Sequence, residues 1–230
     1  GISGQRLQVW SVEMDGSDLQ QLTDYPWGAE DPAWSPDGST IAFTVDFGKG
    51  QTQGLYVMKA DGTDQRMLWA GQALGPSWTP DGTGITFGGQ AGNTDLLETV
   101  DVATSAVTRI PVPGGSSAVW SADGSRIAFW WSTVAGSGLY VANADGSNLS
   151  RVPGAAMGGD GRIAWSPDGQ WLAFNGVASA SGEQIYTVHP DGTDLRRVTD
   201  MGAFHPSPGV SGPNGTPGRT DDPSWGPTTG

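Results

Sequence analysis

Two pairs of acidic residues are the part of this sequence best suited to chemistry. Glu30-Asp31 stand directly before Pro32-Ala33-Trp34, and Asp221-Asp222 stand directly before Pro223-Ser224-Trp225. If the fold brings the two pairs together, four carboxylates repel one another unless a cation or a basic group of a partner neutralises them. Oxygen ligands of this kind suit calcium better than zinc or copper. The alternative interpretation is that these side chains cap the strand that follows and face water, as exposed charges usually do.

Two aromatic residues, Tyr25 and Trp27, precede the first acidic pair. An exposed aromatic ring beside carboxylates can stack a sugar ring or hold a peptide side chain, although Trp27 could equally wedge into a core. The sequence therefore predicts a set of six ligand-binding residues. The four acidic residues of this set are also a speculative calcium site, and no cofactor is required. The set consists of Tyr25, Trp27, Glu30, Asp31, Asp221 and Asp222.

A repeated motif must position these residues. Trp34-Ser35-Pro36-Asp37-Gly38 returns about every 44 residues, a period typical of propeller and solenoid repeats. Its tryptophan is expected to pack between neighbouring repeats. The further copies begin at Trp78, Trp120 and Trp165, and a degraded copy begins at Trp225 after a longer step.

Short strands fill the space between the motifs. Each full motif is followed by an alternating apolar run such as Ile41-Ala42-Phe43, and then by a hairpin such as Leu55-Tyr56-Val57-Met58 that turns at Asp61-Gly62-Thr63. Asp-Gly supplies the positive φ that a tight hairpin needs. The third repeat, counted from the partial repeat at the start of the sequence, has Asp101-Val102-Ala103-Thr104 at this place, which predicts a longer or differently shaped turn. Four short strands per repeat predict an all-β chain, a β-propeller of four-stranded antiparallel blades.

The repeats divide the single predicted domain, residues 1–230, into five visible blades. A closed ring would need the two ends of the chain to share one blade. Because nothing after Trp225 resembles the Ile-Ala-Phe strand, a fragment of a ring of six or more blades is an equal alternative. The predicted segments are a partial blade at 1–24, blades at 25–69, 70–111, 112–153 and 154–200, an inserted loop at 201–220 and a partial blade at 221–230.

The variable segments of the repeat are expected on one face of such a propeller. The turns inside the Trp-Ser-Pro-Asp-Gly motif and the Asp-Gly turns are short, whereas the other connections vary in length and content. Binding residues on a rigid scaffold usually lie in such loops. This variable-loop face comprises residues 24–31, 46–53, 88–93, 132–136, 153–161, 178–182 and 200–222.

Composition excludes several classes of partner. A formal net charge of −13 repels nucleic-acid phosphates and anionic membrane surfaces. The chain has no Cys, so disulfides, thiol catalysis and cysteine metal sites are ruled out. No apolar run is long enough for a membrane span.

These motifs resemble the TolB-like β-propeller family, whose blades carry W-S-P-D-G, I-A-F and I-Y-V strands and D-G turns. The resemblance covers nearly the whole chain. It implies a propeller fold, an extracytoplasmic location (periplasmic, cell-surface or secreted) and a protein or peptide partner bound on the variable-loop face.

Related blades also occur in oligopeptidases and in a metal-dependent pectate-fragment lyase, so the resemblance is also compatible with an enzyme. The chain has no G-x-S-x-G nucleophile motif. Its two histidines, His189 and His205, cannot form the histidine cluster that resemblance to the lyase would imply. The sequence therefore predicts a non-catalytic binding module. Two alternatives stay open: a lectin-like carbohydrate binder assisted by calcium, and an accessory or structural propeller of a larger cell-surface protein or hydrolase.

Overall fold

The computed structural model describes residues 6–45, 54–91, 94–133, 136–156, 161–177 and 183–199. Over these ranges every regular element is a β-strand. The same ranges contain no helix of the length and apolar character that a membrane span requires. The predicted all-β class is confirmed.

The strands form one two-stranded sheet and four four-stranded sheets, each in chain order. The two-stranded sheet pairs β1 (Trp10–Ser11) with β2 (Gln20–Gln21). The complete sheets consist of β3 (Ala29–Trp34), β4 (Thr40–Val45), β5 (Gly54–Lys59) and β6 (Arg66–Ala70); β7 (Leu74–Trp78), β8 (Gly84–Ala91), β9 (Thr94–Asp101) and β10 (Val107–Arg109); β11 (Ser116–Trp120), β12 (Arg126–Thr133), β13 (Gly136–Asn143) and β14 (Ser150–Arg151); and β15 (Ile163–Trp165), β16 (Leu172–Val177), β17 (Glu183–Val188) and β18 (Arg196–Arg197).

The sheets are the four-stranded antiparallel blades that the repeat predicts. In each blade the first strand ends at the repeat tryptophan, and the second strand carries the Ile-Ala-Phe run or its counterpart. The third and fourth strands form a hairpin, which an Asp-Gly turn closes in every complete blade except the second. The chain forms two compact units, Gly1–Trp120 and Ser121–Gly230.

The core of the first unit follows the period of two along β4. Ile41 and Phe43 are buried in a cluster with Val9 and Leu22 of the partial blade. Ala42, between them in sequence, faces the other way and joins a cluster with Trp78 of the next blade. Successive side chains of a strand point to opposite faces, so this single strand contributes to the core on both sides of its blade.

Two repeat tryptophans of the first unit also bridge neighbouring blades by hydrogen bonds. The Trp78 indole Nε1 donates to the Ala33 carbonyl oxygen at 2.9 Å, and the Trp120 Nε1 donates to the Thr86 hydroxyl at 2.9 Å. The first copy, Trp34, departs from the expected packing because its side chain is largely exposed.

In the second unit, blades are joined by a cation over an aromatic ring. The Arg126 guanidinium lies 4.7 Å from the centroid of the Trp165 ring, and its Nη2 donates to the Gly169 carbonyl oxygen at 2.6 Å. Trp130 is fully buried and packs edge-on against Phe174 at 5.8 Å.

The aspartates of the short turns act locally. Asp37 Oδ1 accepts hydrogen bonds from the Ser35 hydroxyl and from the N–H and hydroxyl of Ser39. Equivalent bonds surround the aspartates of the other three copies of the motif. The hydrogen bond from Ser35 is the largest cause that lowers the pKa of Asp37 from 3.8 to about 2. Much of the acidity of the chain therefore has a structural origin.

The Asp-Gly turns share one geometry, and the turn of the second complete blade differs as predicted. The Lys59 N–H donates to the Thr63 carbonyl oxygen across the turn of the first complete blade. At the corresponding place the Asp101 N–H donates to the Ala106 carbonyl oxygen, so this turn is one residue longer. Ser105 there takes a φ of 60°.

Candidate functional site

The candidate site lies in the first unit, where residues 24–28, called here the Trp27 loop, lead into β3. Gln8 of the partial blade holds this loop in place. Its side-chain amide donates to the Tyr25 carbonyl oxygen at 2.7 Å and accepts from the Tyr25 N–H at 3.1 Å. The Gly28 N–H closes the loop on the Tyr25 carbonyl. The loop is thus fixed by its own backbone bonds and by the partial blade.

Tyr25 points its ring inward. The ring lies 6.0 Å from Phe43 and 5.6 Å from Tyr56, in an aromatic cluster on the blade surface. Burial raises the pKa of the Tyr25 hydroxyl above its usual value. The residue is half-buried, so its main contribution is to anchor the loop.

Trp27 points outward. Its side chain is 47% exposed, and the Arg6 guanidinium lies 5.3 Å from its ring centroid. A cation over an aromatic face is attracted by the negative centre of the ring. The two side chains together present an exposed aromatic and cationic surface on a chain whose net charge is negative.

Glu30 and Asp31 occupy a bulge in β3. The pairing of β3 with β4 shifts register between Glu30 and Ala33, and Asp31 has a φ of 50°. Few residues take this left-handed conformation easily, and Asp is among those that do. Glu30 is exposed on the strand and Asp31 is half-buried. The left-handed backbone conformation therefore favours an aspartate at position 31.

The same left-handed backbone conformation recurs in the next two blades. Gly75 and Ser117, which also lie three residues before a repeat tryptophan, have φ values of 54° and 50°. A Cβ atom added at Gly75 would lie 3.0 Å from the Ser117 Cα, so the first strands of these two blades approach closely. Sequence reasoning missed this feature, although the succession of Asp, Gly and Ser at one repeat position was a visible signal. Asp222 occupies the same repeat position before Trp225.

Two open grooves flank the Trp27 loop. One has a volume of about 460 Å³ and is lined by Arg6, Gln8, Trp10, Gln21, Asp24, Tyr25 and Pro26. The other, of about 600 Å³, is lined by Gln21, Leu22, Thr23, Asp24, Tyr25 and Gln65. Side-chain amides and the Asp24 carboxylate line both grooves, and Arg6 adds a positive charge to the first. Shallow, polar surfaces of this kind suit a polypeptide better than a buried small molecule.

Part of the predicted site lies outside the described residues. Asp221 and Asp222 do, as do the predicted loops 46–53, 178–182 and 200–222 in full and 88–93, 132–136 and 153–161 in part. Within the described ranges, no three His, Asp or Glu side chains are grouped closely enough to hold a metal ion. The calcium ligand set stays a prediction.

A family model described as "TolB beta propeller domain" matches residues 55–217. This chain belongs to the TolB β-propeller family. A solved structure of a candidate TolB from Agrobacterium tumefaciens superimposes with a TM-score of 0.61 at 17% identity, covering 82% of this chain and 87% of that one. Identity at this level reports the fold alone, and the fold agrees with the blades of this TolB-family chain.

Curated relatives match shorter stretches. The uncharacterized peptidase YuxL of Bacillus subtilis is 39% identical over 49 residues, which are 21% of this chain and 8% of that protein. The uncharacterized protein Atu1656 of Agrobacterium fabrum is 29% identical over 129 residues, which are 50% of this chain and 43% of that protein. The TolB-family chain thus spans less than half the length of each relative.

Hydrolases and lyases also share the fold. Solved structures that resemble this TolB-family chain include puromycin-hydrolysing peptidases and an oligogalacturonate lyase, at 18% identity or less. The chain covers 36% and 32% of the two peptidase chains. In the described part of this chain, the site contains no histidine and no nucleophile with an adjacent base. Its side chains can bind by stacking, charge and hydrogen bonding.

Proposed function

We propose that this TolB-family propeller is a non-catalytic binding module whose Trp27 loop, with Arg6 and Glu30, holds a protein or peptide partner. The observation that carries the proposal is an exposed indole stacked with a cation on a loop that is fixed from both sides. Aromatic and arginine side chains in such settings dominate the binding energy of protein interfaces. The family resemblance supports the same class of partner.

A polypeptide fits this surface better than a sugar does. The Arg6 guanidinium lies over the Trp27 ring, so a sugar would have one ring face for stacking, whereas a peptide can also pair a carboxylate or a backbone carbonyl with the cation. The groove beside Arg6 offers the side-chain amide of Gln21 and the carboxylate of Asp24, which match backbone groups and charged side chains of a peptide. The carbohydrate and calcium alternatives rest on residues of which half, Asp221 and Asp222, lack a described position.

A peptide-display selection tests the proposal. Peptides would be selected on the wild-type chain and measured on the variants Trp27→Ala and Glu30→Lys. We expect at least tenfold weaker binding to Trp27→Ala, because a truncated central aromatic costs on the order of 2 kcal/mol at an interface. Met67→Ala is the matched control, since Met67 is exposed on β6 of the first blade and outside the loop and its grooves.

Two results would overturn this function. One is that the selected peptides bind Trp27→Ala and wild type equally, which would move the site elsewhere. The other is strong, calcium-dependent binding on a glycan array together with failure of the peptide selection, which would favour the lectin alternative.

A second candidate function follows from the curated relatives. Because this chain matches a short part of an uncharacterized peptidase, it could serve as the accessory propeller of a larger hydrolase. The complete reading frame tests this directly: a G-x-S-x-G motif followed by Asp and His in the same protein would support it. We place either form outside the cytoplasm on the family resemblance, and fractionation of cells carrying a tagged full-length protein checks the location.

A further inference from the structure

One carboxylate in the first unit breaks the pattern of the repeat. In three complete blades a tyrosine of the third strand lies opposite a phenylalanine of the second strand, and the ring centroids are 5.6 to 6.2 Å apart. These pairs are Phe43 with Tyr56, Phe129 with Tyr140 and Phe174 with Tyr186. In the second complete blade Phe87 lies opposite Glu98 instead. A carboxylate therefore replaces an aromatic ring at this one position.

Gly89 makes room for the Glu98 side chain. It holds the repeat position of Val45 and Trp131, two residues after the phenylalanine. A Cβ atom added at Gly89 would lie 2.6 Å from Glu98 Oε2 and 3.6 Å from Phe87 Cε2. The carboxylate thus folds over the backbone of Gly89, beside the Phe87 ring.

The Glu98 side chain points toward the preceding blade. Residues directly opposite one another in an antiparallel pair share one face of the sheet, so Glu98 lies on the same face as Phe87. That face packs against the first complete blade, because Phe87 shares a buried cluster with Leu55 and its ring lies 5.9 Å from that of Trp69. The space bounded by Trp69, Phe87, Gly89 and Glu98 is called here the Glu98 cleft.

Glu98 has no counter-charge in the described part of the chain. The residue is half-buried, and there it forms neither a hydrogen bond nor an ion pair. Arg109 lies opposite it in β10, but its side chain is exposed and is not paired with Glu98. Arg66 of the preceding blade donates to the Val102 carbonyl oxygen instead. Removing a charge from water without a partner costs stability, so this glutamate is not explained by the fold.

The indole of Trp69 is unsatisfied as well. Its Nε1 is buried and has no hydrogen-bond partner among the described residues, although the ring as a whole is only half-buried. Buried polar groups without partners are few in native proteins. Departures from a local pattern concentrate at functional sites. An unpaired donor and an unpaired carboxylate beside the same phenylalanine therefore indicate a binding site.

We propose that the Glu98 cleft binds a lysine or arginine side chain of a polypeptide partner. The Glu98 carboxylate would pair with the cationic head, and the exposed part of the Trp69 ring would contact the methylene stem. The net charge of −13 favours a basic partner by charge complementarity. A metal ion fits less well, since the described ranges hold no group of three His, Asp or Glu side chains. This site is separate from the Trp27 loop and does not depend on the function proposed for it.

The probes are two short peptides, acetyl-Gly-Lys-Gly-Gly-amide and its arginine counterpart. Each would be titrated into the ¹⁵N-labelled full chain and followed by the indole N–H resonance of Trp69, assigned through Trp69→Phe. We expect a saturable shift of this resonance with both peptides. A peptide with norleucine in place of lysine keeps the stem without the charge, and it should bind at least tenfold more weakly.

Two substitutions of Glu98 test the carboxylate. Glu98→Gln removes the charge with little change in shape and should weaken binding of both cationic peptides at least tenfold. Glu98→Tyr restores the residue of the other blades and should abolish binding. Its fold has a precedent in the fourth complete blade, where a Cβ atom added at Gly176 would lie 2.7 Å from Tyr186 Cδ2. Glu13→Gln removes the same charge at an exposed position and should bind as wild type does.

Thermal stability provides a readout that does not depend on the peptides. Because the unpaired charge disappears, Glu98→Tyr should melt at or above the temperature of the wild type. Trp27→Ala should leave the affinity for both peptides unchanged, so failure of this site and failure of the Trp27 site remain distinguishable.

Three outcomes would overturn the proposal. Equal affinity of the wild type and Glu98→Gln for the cationic peptides would place their binding elsewhere. Binding that emerges only in Arg109→Gln would show that Arg109 neutralises Glu98 in solution. A lower melting temperature of both Glu98 variants, with no peptide binding by the wild type, would assign Glu98 a structural role.

Discussion

Asp37 accepts three hydrogen bonds within its own turn, and Asp123 does the same two blades later. Each carboxylate orders the hairpin between the first and second strands of its blade. These bonds favour the ionised form, which is why the pKa of both side chains falls to about 2. The ionised carboxylates of these single residues thus stabilise the folded turns.

Acid should destabilise the chain through these turns. A carboxyl whose pKa is lower in the folded chain than in the unfolded one stabilises the fold above its unfolded value, here 3.8, and this contribution disappears as the pH falls through about 2. The urea midpoint should therefore be constant above about pH 5 and fall steeply between about pH 4 and pH 2. Asp37→Asn should reduce the slope. A midpoint independent of pH over that interval would contradict the turn account.

The bulge at Asp31 gives a second prediction at this scale. Asp31→Ala should lower the free energy of unfolding by about 1 kcal/mol, because alanine resists the left-handed backbone. Asp31→Gly should be less destabilising than Asp31→Ala, because glycine takes the left-handed backbone without strain. Urea denaturation of the three proteins measures both differences.

Calcium serves as the control for this interpretation. If the bulge alone explains Asp31, millimolar calcium leaves the melting temperature of the wild type unchanged. A calcium-dependent rise that Asp31→Ala removes would instead establish the predicted metal site.

Most strands and turns of the fold could be predicted from the spacing of the repeated motifs. Ile41-Ala42-Phe43 and Asp61-Gly62 each carry a local signal and lie where it predicts, whereas Trp34 ends the predicted strand without the predicted packing. The longer turn at Asp101 was also predictable, because it lacks glycine. The burial of each side chain by neighbouring strands could not be predicted from the sequence. Trp34 and Trp78 have the same local sequence signal, yet only the second is buried.

Two glycines in Asp-Gly turns allow the cost of backbone strain to be measured apart from the cost of steric overlap. Gly16 and Gly192 have φ values of 84° and 87°, but a Cβ atom at Gly16 meets open space, whereas at Gly192 the Cγ and Cβ of Pro153 lie 2.8 and 2.9 Å away. Gly16→Ala should cost about 1 kcal/mol of stability from strain alone. Gly192→Ala should cost roughly 1–3 kcal/mol more from overlap. Equal losses in urea denaturation would show that the turn of the fourth blade does not pack on Pro153.

The indole bridges between blades can be tested with a matched pair. Trp78→Phe removes the donor to the Ala33 carbonyl and should cost about 1–3 kcal/mol, since that oxygen is left without its partner. Trp34→Phe changes an exposed indole and should stay within about 0.5 kcal/mol of wild type. Thermal denaturation followed by tryptophan fluorescence would distinguish the two, and a larger loss for Trp34→Phe would refute the assigned roles.

For the whole molecule, the repeated motif identifies the family but does not identify the binding partner. The predicted site combined residues near both ends of the chain, and the structure describes the part from Tyr25 to Asp31. Within that part, Tyr25 anchors, Asp31 shapes the backbone, and Trp27 and Glu30 remain available to a ligand. Sequence could not separate these roles, because orientation depends on Gln8, Phe43 and Tyr56, which no local motif connects to the loop.

The central claim is that Trp27 contacts the partner, and the indole N–H resonances of the eleven tryptophans test it most directly. A ¹⁵N-correlated NMR titration with a peptide selected on the wild-type chain, with Trp27 assigned through Trp27→Phe, reports each indole separately. The account predicts that the Trp27 resonance shifts or broadens with saturation while those of the buried Trp78, Trp130 and Trp165 stay in place. An unchanged Trp27 resonance at saturating peptide would contradict it.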